Sequence, residues 1–160
     1  ALDFVDIKFD LNPEIFYEHH KNTLMINGRK PYYKKNLYLK IINKARQNNS
    51  GFIISAHDKL NNEIHAALFI IYGKERAYYL INTNDQKYKA YGASSLLVSE
   101  SIKYLKGKTK HFDFEGSMDF NINQSYRQFG ALPQPYHSIK KINSVLIYIR
   151  DFIKNIRCKQ

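Results

Sequence analysis

The stretch that decides the fold runs from His111 to Gly130 and reads HFDFEGSMDFNINQSYRQFG. Its opening residues alternate in character and predict a short strand over Thr109 to Phe114. Glu115-Gly116-Ser117 is turn chemistry. Ile122, Tyr126 and Phe129 then recur at helical spacing until Gly130 stops the helix. A strand, a tight turn and a helix in immediate succession belong to a sheet with helices packed on it.

Upstream of this unit lies a longer helix, roughly Lys89 to Lys106, whose expected buried face is Ala93, Leu96, Leu97, Ser101 and Tyr104, with Gly107 ending it. Before it come three strands, Phe52 to His57, Glu63 to Tyr72 and Arg76 to Asn82, with a loop from Thr83 to Lys87. Asn61-Asn62 and Gly73-Lys74 separate the strands, which predicts an antiparallel meander. Ala66 to Ile71 is apolar at every position, so that strand is expected at the centre of the sheet.

The chain opens with a short alternating strand, FVDIKFD. Asn12-Pro13-Glu14 then reads as helix cap, first-turn proline and first-turn acid, and Gly28 closes that helix. A second helix, about Tyr33 to Gln47, is expected to turn Leu37, Tyr38, Ile41, Ile42 and Ala45 to one face. Downstream of the opening stretch, Tyr136 to Lys141 is a last strand. Val145, Leu146, Ile149, Phe152, Ile153 and Ile156 form the stripe of a C-terminal amphipathic helix over 143–160. The predicted class is α/β, one mixed sheet covered on both faces, in a single domain spanning 1–160, with element order β-α-α-β-β-β-α-β-α-β-α.

Composition narrows the function classes. The 160 residues carry 25 Lys and Arg against 14 Asp and Glu, a net charge of +11, which favours an anionic partner or a solvated basic surface. No apolar run approaches the ~20 residues of a membrane helix. A single cysteine, Cys158, excludes an internal disulfide and fits a reducing compartment, so the expected location is the cytoplasm. The six histidines lack the short spacings of a zinc site. Pro31-Tyr32-Tyr33-Lys34-Lys35 mixes rings and cations, which suits either a nucleic-acid surface or the start of an amphipathic helix.

The order of elements resembles that of the GNAT acyltransferase superfamily. An ordered series, Ala66-Ala67-Leu68-Phe69-Ile70, Ala77-Tyr78-Tyr79-Leu80, Gly92-Ala93-Ser94-Ser95-Leu96-Leu97, Phe112-Asp113-Phe114-Glu115-Gly116-Ser117 and Tyr126-Arg127-Gln128-Phe129-Gly130, resembles the GNAT-like domain of the Fem family, the peptidoglycan-bridge aminoacyltransferases, and the related BioF2-like acetyltransferases. The resemblance implies an acyl or aminoacyl transferase acting on an amine, a small amine or a cell-wall precursor, or else a non-catalytic GNAT-fold interaction module. Its donor would be aminoacyl-tRNA or acetyl-CoA, with no permanently bound cofactor. Fem proteins resemble two such domains in tandem, so the resemblance also implies a second GNAT-like domain and places this chain as the C-terminal half. Glu115 stands where the family has glycine, and Tyr126-Arg127 where it has Phe-Lys.

The candidate site residues fall in two groups along the chain. Lys89, Gly92, Ala93 and Ser94 resemble the run that turns backbone N–H groups toward a cofactor pyrophosphate at a helix N-terminus, though Gly92 also suits close helix–strand packing. Asp113 and Glu115, two apart at a strand end, could take the proton of an attacking amine; alternatively one caps the next helix or pairs with a cation. Arg127 could steady an oxyanion or a phosphate, or form a surface ion pair. The substrates are expected in the crevice near Tyr79 to Asn82 and Phe114 to Ser117, against Tyr79, Gly116, Ser117 and Tyr126.

Overall fold

A computed structural model describes residues 3–116 and 120–135, with positions 144, 145, 147 and 150. The expected last strand, most of the C-terminal helix, Ser117 and Cys158 lie outside the described residues.

Five strands form one sheet in the order β1-β2-β3-β4-β5: β1 Val5–Phe9, β2 Gly51–Asp58, β3 Ile64–Tyr72, β4 Arg76–Asn84 and β5 His111–Asp113. The first four pair antiparallel, as the turns dictate, and β5 returns parallel to β4 after a helical crossover. Helices α1 (Pro13–Ile26) and α2 (Lys35–Gln47) cover one face, and α3 (Ala93–Leu105) the other; α4 (Phe120–Arg127) comes after β5. The sheet is mixed and covered on both faces, as expected.

The central strand explains why two layers can form. Ala66, Leu68 and Ile70 of β3 enter the core beneath α3, while Ala67 and Phe69 enter the core beneath α1 and α2. Full burial of each large apolar side chain stabilises by roughly 1.5–3 kcal/mol, and β3 contributes on both sides. The Asn12 side chain accepts a hydrogen bond from Glu14 N at 2.8 Å, so the cap at α1 forms as read. Gly51 lets β2 approach α2: a β-carbon there would lie 2.8 Å from Ala45 Cβ and 3.0 Å from the Ile70 carbonyl.

Two helices differ from expectation. In α2 only Tyr38, Ile42 and Ala45 are buried, while Leu37 and Ile41 lie exposed. The helix presents a narrower stripe to the sheet than its apolar pattern suggests. In α3 the helix starts at Ala93 rather than Lys89, because Gln86–Tyr91 winds into a tight 3-10 turn. Tyr88 anchors that turn: its ring stacks on buried His65 at 3.7 Å and its hydroxyl donates to Glu63. The buried face of α3 is accordingly Ala93, Leu97, Val98, Ser101 and Leu105, while Tyr104 is 39% exposed with its ring against Phe9 and Phe52. Among the described residues, no helix is long and apolar enough to cross a membrane, and no group of His, Cys, Asp and Glu could hold a metal.

Candidate active site at the parting of β4 and β5

Two irregularities in β4 build the site. First, β5 pairs with β4 only at Arg76, Ala77 and Tyr78. From Tyr79 to Asn84 the outer edge of β4 has no strand partner among the described residues, leaving backbone N–H and C=O groups unclaimed by a ladder. Second, the register between β3 and β4 slips by one: Phe69 faces Ile81 but Ile70 faces Tyr79, so Leu80 is an extra residue. Leu80 and Ile81 then both pack toward α1 and α2, whereas Tyr79 packs toward α3. The slip also reverses the phase of the rest of the strand. Asn82 and Asn84 stand opposite Leu68 and Ala66, and so share the α3 face with them. Without the bulge they would point the other way.

The α3 face of the unpaired edge is lined by rings. Phe114, just beyond β5, stacks on Tyr126 of α4 at 4.5 Å and 23°. Tyr79 lies 5.8 Å from Phe114 and 6.1 Å from Tyr126, and Phe129 closes the group at 5.9 Å from Phe114. Burial, then the neighbouring Tyr126, raise the Tyr79 phenol well above its usual range, and a hydrogen bond with Asn82 partly offsets this. Burial and then the Glu115 charge likewise raise Tyr126. Both phenols keep their protons at neutral pH and can donate.

The two carboxylates separate. Asp113 ends β5 with Oδ2 2.8 Å from Arg76 Nη1 and Oδ1 accepting from Glu115 N at 2.7 Å. It holds the end of β5 to the start of β4 and shapes the turn. Glu115 lies outside the strand, at φ 59°, with Gly116 next at φ 74°. The expectation that both project from one face of an extended strand therefore fails, because the chain turns into left-handed backbone right after Phe114. Burial first, then the Asp113 charge, push the Glu115 carboxyl up from its ordinary value, the direction that suits a proton acceptor near neutrality. Arg127, in the last turn of α4, donates through Nε to Asn123 at 3.1 Å.

The second group of expected residues lies at the start of α3. Gly92, at φ 68°, is the N-cap residue and supplies no side-chain cap; the space where its β-carbon would stand is open to 4 Å. The first N–H groups of the helix thus face outward with positive partial charge. Ala93 is buried against the core, and Lys89 is exposed without an ion-pair partner among the described residues. Ser94 Oγ and Asn84 Oδ1 are buried with no hydrogen-bond partner among the described residues. Sequence reasoning missed Asn84. Its signal was available in Ile81-Asn82-Thr83-Asn84, where two amides two residues apart follow the apolar run Ala77 to Ile81.

No protein-family model and no curated protein matches the sequence. Solved structures match the fold. A "possible acetyltransferase" from Clostridium difficile 630 superposes with a TM-score of 0.66 at 9% identity, covering 87% of this chain and 97% of that one. An aminoglycoside acetyltransferase from an uncultured soil metagenomic sample, in complex with sisomicin, gives 0.64 at 15%, covering 88% and 98%. A predicted acetyltransferase from Clostridium acetobutylicum, with acetyl-CoA, gives 0.63 at 13%, covering 87% and 96%. The fold is that of the GNAT acetyltransferases.

Proposed function

We propose that this chain is an N-acyltransferase that moves an acyl group, acetyl in the simplest case, from a coenzyme A thioester to an amine. One juxtaposition carries the reading. The N-terminus of α3, without a side-chain cap, stands beside a β4 edge that has no partner strand among the described residues, and both lie on the α3 face with the rings of Tyr79 and Tyr126. A ligand joining a pyrophosphate to an amide-bearing arm suits these two features: anion at the helix start, amides along the strand edge. Gly92 leaves the approach open, and Lys89, Ser94 and the N–H groups from Ala93 on would hold the phosphates. Bound there, the thioester supplies an activated carbonyl.

The chain's own residues supply the rest. The amine nitrogen attacks the carbonyl carbon, the carbon–sulfur bond breaks, and the thiolate leaves. Glu115 takes the proton released by the amine, Tyr79 or Tyr126 donates a hydrogen bond to the departing sulfur, and solvent supplies its proton. Asp113 positions the turn that carries Glu115. Gly116 belongs to that turn, and Arg127 adds positive charge on α4 nearby. Holding donor and amine together contributes much of the acceleration. The reading is tested by mixing the protein with acetyl-CoA and a panel of primary amines and measuring free thiol over time. Release that depends on amine supports it; no release above the protein-free rate with any amine rejects it.

A Fem-like aminoacyl transfer from tRNA is the second reading, supported by the net charge of +11. It requires affinity for charged tRNA that falls steeply with salt as counterions are released; salt-independent or absent binding removes it.

A further inference from the structure

Away from this site, α2 exposes apolar side chains amid unbalanced positive charge. Leu37 and Ile41 lie one turn apart on α2, with Tyr33 in the segment just before the helix; the three are 47%, 37% and 43% exposed. Lys34, Lys40 and Lys44 border the stripe, exposed and without a carboxylate partner among the described residues. The cations of the other flank are engaged: Lys35 with Glu14 and Glu18, Arg46 with Asp10. The segment leading into α2 adds Arg29, Lys30 and Tyr32, the last 91% exposed. Residues 19–57 contain eight Lys and Arg and no Asp or Glu.

We infer that this face of α2 docks on an anionic phospholipid bilayer. Leu37 and Ile41 enter the boundary between headgroups and acyl chains, Tyr32 and Tyr33 sit at headgroup level, and Lys34, Lys40 and Lys44 meet lipid phosphates. Charge complementarity selects the occupant. A second copy on the same face would bring lysines against lysines, which the unbalanced charge opposes. A nucleic acid would satisfy the lysines but leave Leu37 and Ile41 unrewarded, since bases stack on rings and not on branched aliphatic chains. The Tyr32 and Tyr33 rings meet edge to face, at 4.9 Å and 87°, so they do not form a parallel slot for a base.

The test is co-sedimentation of the full chain with vesicles of phosphatidylcholine alone and of phosphatidylcholine mixed with phosphatidylglycerol. The expected result is binding to the mixed vesicles only, weakening as salt rises. Changing Lys34, Lys40 and Lys44 together to Gln lowers that affinity roughly a hundredfold, about fivefold for each lysine near a charged surface. Leu37→Ser with Ile41→Ser abolishes binding while leaving the circular dichroism and melting temperature close to those of the parent, as both side chains are solvent-exposed. Binding that is absent, or equal on neutral and anionic vesicles, overturns the inference. So does tight binding of a single-stranded oligonucleotide that survives the Leu37/Ile41 change but not Tyr32→Ala with Tyr33→Ala. A dimer in sedimentation velocity that the Leu37/Ile41 change dissolves overturns it as well, by making the occupant a second copy.

Discussion

Asp113 and Glu115 stand two residues apart, and the structure gives them different tasks, which paired substitutions can separate. Asp113→Asn keeps the Oδ1 acceptor for Glu115 N and removes the charge facing Arg76. That ion pair is 45% exposed on the arginine side and 29% on the aspartate side, at 2.8 Å. Pairs so open to water contribute at most about 1 kcal/mol, which lowers Tm by roughly 2–4 °C in a domain of this size. Because the turn persists, kcat should stay within about threefold of the parent, under roughly 0.7 kcal/mol in the barrier. Glu115→Gln is the reverse case. Among the described residues its carboxylate accepts no backbone hydrogen bond, so Tm should move by no more than about 0.5 kcal/mol would cause, while kcat falls by about 10²–10⁴ for a lost general base. The assay is thiol release with whichever amine supports turnover, beside a thermal melt of each variant. A hundredfold loss in Asp113→Asn at unchanged Tm, with Glu115→Gln fully active, would refute the division of roles.

The same geometry makes three further outcomes testable. If Glu115 is the base, kcat/KM rises with pH through its raised pKa, and Glu115→Gln flattens that limb. Gly51→Ala should destabilise by about 1–3 kcal/mol through overpacking, since its β-carbon meets Ala45 Cβ at 2.8 Å and the backbone at Ile70 at 3.0 Å; an unchanged melt contradicts this. His19 and His57 are both lowered, chiefly by burial. His19 Nε2 donates to the Ile64 carbonyl at 3.0 Å, and His57 Nε2 meets Ser55 Oγ at 2.9 Å. Each binds its proton less readily folded than unfolded, so their contribution to stability is complete above the unfolded value near 6.5 and is lost progressively as pH falls from there through the lowered folded values. His19→Gln with His57→Gln should lessen the loss of Tm on going from pH 7 to 5, measured by thermal melts across that range.

Much of the architecture was legible because local chemistry and tertiary structure agree. Asn12-Pro13-Glu14 starts a helix where it should, and the all-apolar run Ala66 to Ile71 lies at the sheet's centre. The features that escaped the sequence depend on partners distant along the chain. Leu37 and Ile41 have the apolar character of a core face, yet the sheet surface under α2 takes only a narrower stripe. The late start of α3 comes from Tyr88 stacking on His65, a contact across 23 residues. The bulge at Leu80 carries no composition signal, and it decides that Asn82 and Asn84 face α3. Site residues were found as two clusters along the chain; their separation into Glu115 at the turn and Asp113 bound to Arg76 needed the left-handed backbone at Glu115.

The central claim is that the start of α3 and the β4 edge beyond Tyr78 receive a coenzyme A thioester, and acetyl-CoA binding measures it without knowledge of the acceptor. At a hundredfold excess over Kd, a ligand that binds only the folded chain stabilises it by about 2.7 kcal/mol, which raises Tm by roughly 5–10 °C at this chain length. The account predicts a rise that grows with the logarithm of acetyl-CoA concentration. A Tm unmoved up to millimolar acetyl-CoA, in protein shown to be folded, would contradict it.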